Sequence, residues 1–314
     1  AIAPTGTTES DIFAVIPRSV VEAGGARGVL FYGHGAGGHP SYDLNTADYK
    51  VAATVAAEEN RLIILATTTR GLEYNDFLDI FGVTTEPERF LGVAHRVVQG
   101  QLNTRALIRA ALEGDLLDDP VFEDENGVNL ASTDTVFYYG MSLGSFMGTG
   151  MMGTGFAPDA AVLAVGGAGF GWTLPRLTSQ QAVGDVIVPL VPGALDRQRA
   201  WGLWQLGVDP VEPSTHAGAV SSPVLLTENM GDDDVRNGAA EHLARALGAS
   251  LVEPAHREPW GVPPGSGGPW LFQYDPELGA SPMGNAPPPQ SNMAHYQNEW
   301  PGALEMVTDF LDPD

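Results

Sequence analysis

The pentad Gly140-Met141-Ser142-Leu143-Gly144 places a serine between two glycines, directly after five strand-forming residues, Thr135 to Tyr139. A serine hydroxyl becomes a useful nucleophile only when it stands clear of the backbone and beside a base. A sharp turn from strand to helix meets the first condition. Such a turn forces the serine into strained backbone and requires small residues two before and two after it, where chain segments pass closely. The pentad alone is a weak signal in a chain with 39 glycines. The strand before it and a small-residue helix expected over Leu143 to Gly153 strengthen it. The competing reading is a glycine-rich turn whose serine only caps a helix.

Acyl transfer needs three more parts: a base, a carboxylate to orient it, and N–H donors for the developing oxyanion. The loop Gly33-His34-Gly35-Ala36-Gly37-Gly38 follows the apolar run Gly28 to Tyr32, and its glycines free backbone amides to face a substrate. It lacks the Gly-x-x-x-x-Gly-Lys pattern of a phosphate loop. Asp232-Asp233-Asp234 follows another apolar run, Pro223 to Glu228, and precedes a helix from about Gly238 to Leu247. Those aspartates are candidate orienting groups; the plainer reading is a solvated acidic cap on that helix. Of seven histidines, His34 and His39 sit in or beside the glycine loop, and His95 and His242 fall in helices. His216 lies in a mid-chain insertion, and His256 and His295 lie near the C-terminus.

The elements that must carry these residues alternate. Strands are expected at Asp11 to Pro17, Gly28 to Tyr32, Arg61 to Ala66, Thr135 to Tyr139, Ala160 to Val165, Pro223 to Glu228 and Ser250 to Glu253. Helices are expected at Thr46 to Glu59, at Arg89 to Gly114 as one helix or two broken near Gly100, at Leu143 to Gly153, at Gly238 to Leu247 and at Pro301 to Leu311. Alternation of this kind predicts an α/β fold with a mostly parallel sheet covered on both faces. Thr67 to Pro87 is a long connection whose Tyr74, Phe77 and Phe81 are candidate pocket residues. Residues 166–222 interrupt the pattern with many apolar anchors, Trp172, Leu174, Leu190, Val191, Trp201, Leu203, Trp204 and Leu206. Within it, Arg199 to Leu206 is a candidate lid helix. Pro254 to Gln290, rich in Gly and Pro, reads as an irregular excursion. Asp124, Asn126 and Asp134 are candidate Ca²⁺ ligands, although their spacing is not that of an EF-hand; a solvated turn is the default reading.

Composition narrows the partners. The chain has 314 residues, 43% of them hydrophobic, enough for one large core. Fifteen basic against 39 acidic residues give a formal charge of −24, with Lys50 the only lysine. Such a surface repels nucleic acid and anionic lipid heads. There is no cysteine, which excludes disulfides, thiolate metal sites and a Cys nucleophile. No run of 18 apolar residues suggests a membrane span. The chain begins Ala1-Ile2-Ala3-Pro4, not at Met, and a secreted or periplasmic location is the expectation.

Taken in order, Gly33-His34-Gly35, Gly140 to Gly144, Gly231 to Asp234 and His295 resemble the α/β-hydrolase superfamily over nearly the whole chain. The resemblance implies a hydrolase core of residues 1–165 and 223–314, with a cap or lid at 166–222. It implies Ser142 as nucleophile, and the amides of Leu143 and Ala36 as oxyanion donors, with Gly37 the alternative to Ala36. The family's usual spacing puts the acid three residues after the glycine, at Asp234, with Asp232 as the alternative. The family's base lies between the last strand and the last helix. His295 is favoured because it immediately precedes that helix, and His256, nearer the strand, is the alternative. His216 precedes the acid and is therefore read as structural. Tyr139 to Gly148, together with Trp204 to Pro210, looks like a group of bacterial extracellular lipases and esterases. Gly144-Ser145 replaces their usual Gly-Gly pair, and Met141 their usual His or Trp, departures expected to alter pocket shape. The implied activity is hydrolysis of a small or lipid-like carboxylic ester, with no cofactor. Peptidases, thioesterases and polyester hydrolases share this machinery, and a non-catalytic binding protein of the same fold is the rival of another class.

Overall fold

The computed structural model describes residues 7, 9–45, 52–76, 82, 86, 89–178, 191–278, 292–296, 301–312 and 314. The start of the helix expected from Thr46, Phe77 and Phe81 in the long connection, Leu190 in the insertion and residues 279–290 of the excursion lie outside these.

Eight strands form one sheet among the described residues: β1 (Ile12–Val15), β2 (Gly28–Gly33), β3 (Leu62–Thr67), β4 (Val136–Met141), β5 (Ala160–Ala164), β6 (Val224–Asn229), β7 (Ser250–Leu251) and β8 (Trp270–Tyr274). Their order is β1-β3-β2-β4-β5-β6-β8-β7. All pairs are parallel except β1 with β3. Side chains alternate between two cores, as a two-faced sheet requires. Val29, Phe31, Ile63, Leu65 and Tyr138 face one, and Leu30, Tyr32, Ile64, Phe137 and Tyr139 the other. The first face is covered by α3 (Arg89–Leu112), α4 (Leu143–Met152) and α6 (Asn237–Leu247), through residues such as Ile108, Met151 and Leu243. The second is covered by α2 (Ala52–Asn60) and α7 (Pro301–Phe310), through Ala53, Ala56 and Val307. Between β1 and β2 lies α1 (Arg18–Ala23), a short helix that the sequence reading did not anticipate.

The chain runs from β2 to β3 on one side, then crosses to β4 on the other. That reversal leaves a crevice at the carboxyl ends of β2 and β4, where open α/β sheets bind ligands. The glycine loop follows β2 and Ser142 follows β4, so both border it.

One open alternative is decided and two expectations change. Residues 89–112 form one helix, unbroken at Gly100, where the missing side chain lets the Arg70 backbone approach. The excursion after Pro254 is not wholly irregular: Trp270–Tyr274 is β8, inserted between β6 and β7. Its run Trp-Leu-Phe-Gln-Tyr is a strand composition hidden among Gly and Pro. In the insertion, α5 (Ala194–Val208) contains the candidate lid segment, but Trp204 and Val208 are buried against Phe146, Met147 and Ala94, while Leu203 and Leu206 face out. No helix among the described residues is long and apolar enough to cross a membrane. Asp124 closes a local turn, its Oδ1 accepting from the Asn126 and Val128 amides at 2.8 Å each. No group of three or more potential metal ligands is gathered among the described residues.

Candidate active site

Ser142 sits between β4 and α4 with φ 53° and ψ −113°, a strained backbone that few non-glycine residues adopt. What holds it there is local. Its N–H donates to the Ala164 carbonyl at 2.8 Å. A side chain at Gly140 would strike the Gly144 carbonyl, and one at Gly144 would strike the Gly33 carbonyl. Ser145, which stands in place of the second glycine, is fully buried and donates to the Gly140 and Ala164 carbonyls at 2.7 and 2.9 Å. It therefore ties the turn to β4 and β5 and does not shape the pocket, contrary to expectation. Met141 does line the cavity. The capping reading of Ser142 fails on geometry: its side chain makes no cap hydrogen bond.

The glycine loop is pinned by His34, which is completely buried. Its Nε2 accepts from the Thr69 N–H at 2.8 Å, so its Nδ1 carries the proton and donates to the Gly35 carbonyl at 2.8 Å. Burial pushes this imidazole down to about 4, so it stays neutral. The Gly37 amide donates to the Leu72 carbonyl at 2.7 Å, which removes the alternative oxyanion donor. The amides of Ala36 and Leu143 are uncommitted among the described residues and remain the pair to consider.

The three aspartates are buried, at 3%, 0% and 4% exposure, so they are not a solvated cap. Each has a different partner. Asp232 Oδ2 lies 2.8 Å from His295 Nδ1. Asp233 accepts from the Asn292 and His295 amides at 3.2 and 3.5 Å. Asp234, expected to hold the imidazole, instead borders the cavity and accepts from the Tyr296 hydroxyl at 3.4 Å. The carboxylate on His295 is thus Asp232, the alternative. The physical reason is a tight turn in which the Asp234 amide donates back to Asp232 Oδ1 at 2.8 Å, turning the first carboxylate toward the histidine.

His295 lies between β8 and α7, with 5% exposure. His256 precedes β8, so the strand missed in the sequence removes it from the required loop; its side chain is 44% exposed and faces Asp275. Asparagines frame the histidine loop: Asn229 donates to the Ala294 carbonyl at 2.7 Å, and Asn292 to the Gly231 carbonyl at 2.9 Å. Asn237 bridges the Asn229 carbonyl and the Gly231 amide. Arg236 joins the aspartate loop to the insertion through Arg176 O and Thr178 Oγ1, and Thr178 N donates to Asp233 O at 3.0 Å. None of these was singled out in the sequence; short polar residues around Gly231 were the available signal. His216 bonds the Pro210 carbonyl, and His95 is exposed on α3.

Ser142 and His295 line one cavity of about 230 Å³ with the Gly35 to Gly38 backbone. From the insertion, Leu177 alone among the described residues borders it. Burial lowers the proton affinity of His295, but Asp232 and, behind it, Asp234 and Asp233 outweigh that and push it up to about 9. With Asp232 accepting at Nδ1, the Nε2 lone pair is the one available for proton transfer. The arrangement can deprotonate a hydroxyl and stabilise the resulting imidazolium, with the Ala36 backbone on the cavity wall.

No protein-family model and no curated protein sequence matches the chain. Solved structures do. The acylaminoacyl peptidase of Pyrococcus horikoshii aligns with 99% of this chain at 14% identity and a TM-score of 0.55, and the chain spans 41% of that protein's length. A 2,6-dihydroxy-pseudo-oxynicotine hydrolase aligns with 96% of this chain and 64% of its own, at 12% identity and a TM-score of 0.53. An esterase of Pyrococcus furiosus covers 96% of this chain and 91% of its own, at 10% identity and a TM-score of 0.48. At these identities the likeness, carried by the first two, is one of architecture. Together with the parallel sheet, the strained serine after β4 and the crevice at the strand reversal, it establishes that the chain has the α/β-hydrolase fold.

Proposed function

We propose that the protein is a serine hydrolase that cleaves small carboxylic esters by acyl transfer. The observation that carries this reading is the strained Ser142 in a cavity shared with His295, whose Nδ1 is bonded to Asp232. In the proposed sequence His295 Nε2 takes the Ser142 proton as Oγ attacks the ester carbonyl. Asp232 keeps the other imidazole proton on Nδ1 and stabilises the imidazolium. The amides of Leu143 and Ala36 receive the oxyanion. The imidazolium then protonates the leaving alcohol, and water, deprotonated by the same nitrogen, releases the acid.

A cavity of about 230 Å³ favours a short acyl group. The candidate lid segment adds no wall for a longer acyl chain through Trp204, which packs into the core. The test is fluorophosphonate labelling and turnover of a p-nitrophenyl ester panel of rising acyl length, with thioester and amide analogues beside it. Labelling at Ser142 and a preference for short esters are expected. Ser142→Ala should lower kcat by about 10⁴-fold or more. An unlabelled Ser142, or turnover surviving that substitution, refutes the assignment in favour of a binding protein.

A further inference from the structure

Arg236 is buried, with 2% exposure, next to three buried aspartates, yet it forms no ion pair with any of them among the described residues. A guanidinium kept only to balance charge would take a carboxylate in its fork. Arg236 reaches two chain segments instead. Its Nη1 donates to the Asp232 carbonyl at 3.4 Å, and its Nη2 donates to the Arg176 carbonyl and, at 2.9 Å, to the Thr178 hydroxyl. Its Nε has no hydrogen-bond partner among the described residues. A further link runs alongside, from the Thr178 N–H to the Asp233 carbonyl at 3.0 Å.

The two residues gripped in this way, Arg176 and Thr178, flank Leu177, the one described residue of the insertion that borders the Ser142 cavity. Leu177 has little of its own to hold it there. It follows a single turn, Leu174–Arg176, and its N–H donates to the Leu174 carbonyl at 3.3 Å. One turn of this kind is not stable by itself. Trp172 and Leu174 anchor the start of the segment against the cluster around Trp204. The end of the segment, where Leu177 lies, is fixed by Arg236 and the aspartate loop.

We infer that Leu177 is a specificity-determining residue that limits the length of acyl chain this cavity accepts, and that Arg236 and Thr178 are positioning residues that hold it against the cavity. The inference rests on the ester-hydrolase reading and deepens it. It makes one loop serve two purposes: Asp232 orients the base through its side chain and, through its carbonyl, anchors the arginine that sets the pocket wall.

The test measures kcat/KM for p-nitrophenyl hexanoate and acetate and takes their ratio, which cancels any change in the base or in the amount of active protein. Fluorophosphonate labelling of Ser142 is run in parallel. Leu177→Ala should raise the hexanoate-to-acetate ratio by about tenfold or more, and Leu177→Phe should lower it. Thr178→Val, which removes the acceptor for Arg236 but keeps the shape, should raise the ratio about threefold. Thr178→Ser, which keeps the acceptor, should restore the wild-type ratio. The Thr178→Val effect should vanish when Leu177→Ala is already present, because the hydrogen bond acts through the leucine. A loosened fold alone would not give that dependence. A labelled Ser142 with an unchanged ratio in Leu177→Ala overturns the inference and leaves the hydrolase reading standing. If that variant does not fold, Leu177→Phe decides, and a ratio that fails to fall overturns it. A Thr178→Val effect that is absent, or equal with and without the leucine, overturns the positioning role. An unlabelled Ser142 removes both readings.

Discussion

The nucleophile side and the acid–base side of the proposed site are built on opposite plans. Ser142 is held by neighbours in sequence and in adjacent strands: Gly140, Gly144, Ser145 and the Ala164 carbonyl. Its constraint is steric, so it leaves a pattern of small residues at fixed spacing. His295 and its loop are held by hydrogen bonds spanning 61 to 65 residues, to Asp232, Asp233, Asn229 and the Gly231 carbonyl that accepts from Asn292. Its constraint is a set of hydrogen bonds between two loops, which fixes partners without fixing spacing. Sterics are local and written in the chain; polar pairing across loops is decided only when the sheet has brought the loops together.

Breaking each plan gives different failures. Gly144→Val drives a side chain into the Gly33 carbonyl and should prevent native folding, with a loss above about 4 kcal/mol, seen by circular dichroism and thermal melting. The acid–base side should lose chemistry and keep its fold. Asp232→Asn leaves the shape but misorients the imidazole, and kcat should fall about 10⁴-fold with little change in melting temperature. Asp234→Asn should cost less than about tenfold and shift the pH–rate profile to lower pH, because one of the charges raising His295 is gone. Equal losses in the two variants would return Asp234 to the orienting role.

The pH dependence sharpens the contrast further. His295 must be neutral to act as a base, so kcat/KM should climb from pH 7 toward an inflection near 9. Stability moves the other way. A histidine raised from 6.5 to about 9 on folding stabilises fully below pH 6.5, and that contribution is lost as pH rises through about 9. Parallel rate and chemical-denaturation curves from pH 6 to 10 should cross in this window; a rate plateau already reached at pH 6 would contradict it. The smallest effect should come from His256→Asn, which alters turnover by no more than about twofold because the residue is exposed and remote from the cavity.

The same division explains what could be read beforehand. The buried strands β2, β3, β4, β5 and β6 announced themselves as apolar runs, and Ser142 by its glycines. His34, placed in the oxyanion loop by its motif, is where a short-range contact to Gly35 holds it. β8 was hidden because its five residues are framed by Gly and Pro, the usual marks of a loop, and its pairing with β6 crosses more than forty residues. Missing it left His256 in contention. The acid was misplaced for a related reason: three identical side chains in a row carry no signal of which one faces the histidine, and the backbone turn at Asp232 to Asp234 decides.

That turn also sets what change the protein can tolerate. Surface loops usually accept insertions and deletions. Here Asp232, Asp233 and Asp234 touch the imidazole, the histidine backbone and the cavity in succession. Substituting one alters one contact. Removing or adding a single residue shifts all three by one place, so the orienting bond, the loop anchor and the pocket wall fail together. Among homologous chains this loop should keep its length and Asp232 while its other positions vary more, and an alignment gap within it should mark a protein that has lost the proposed activity.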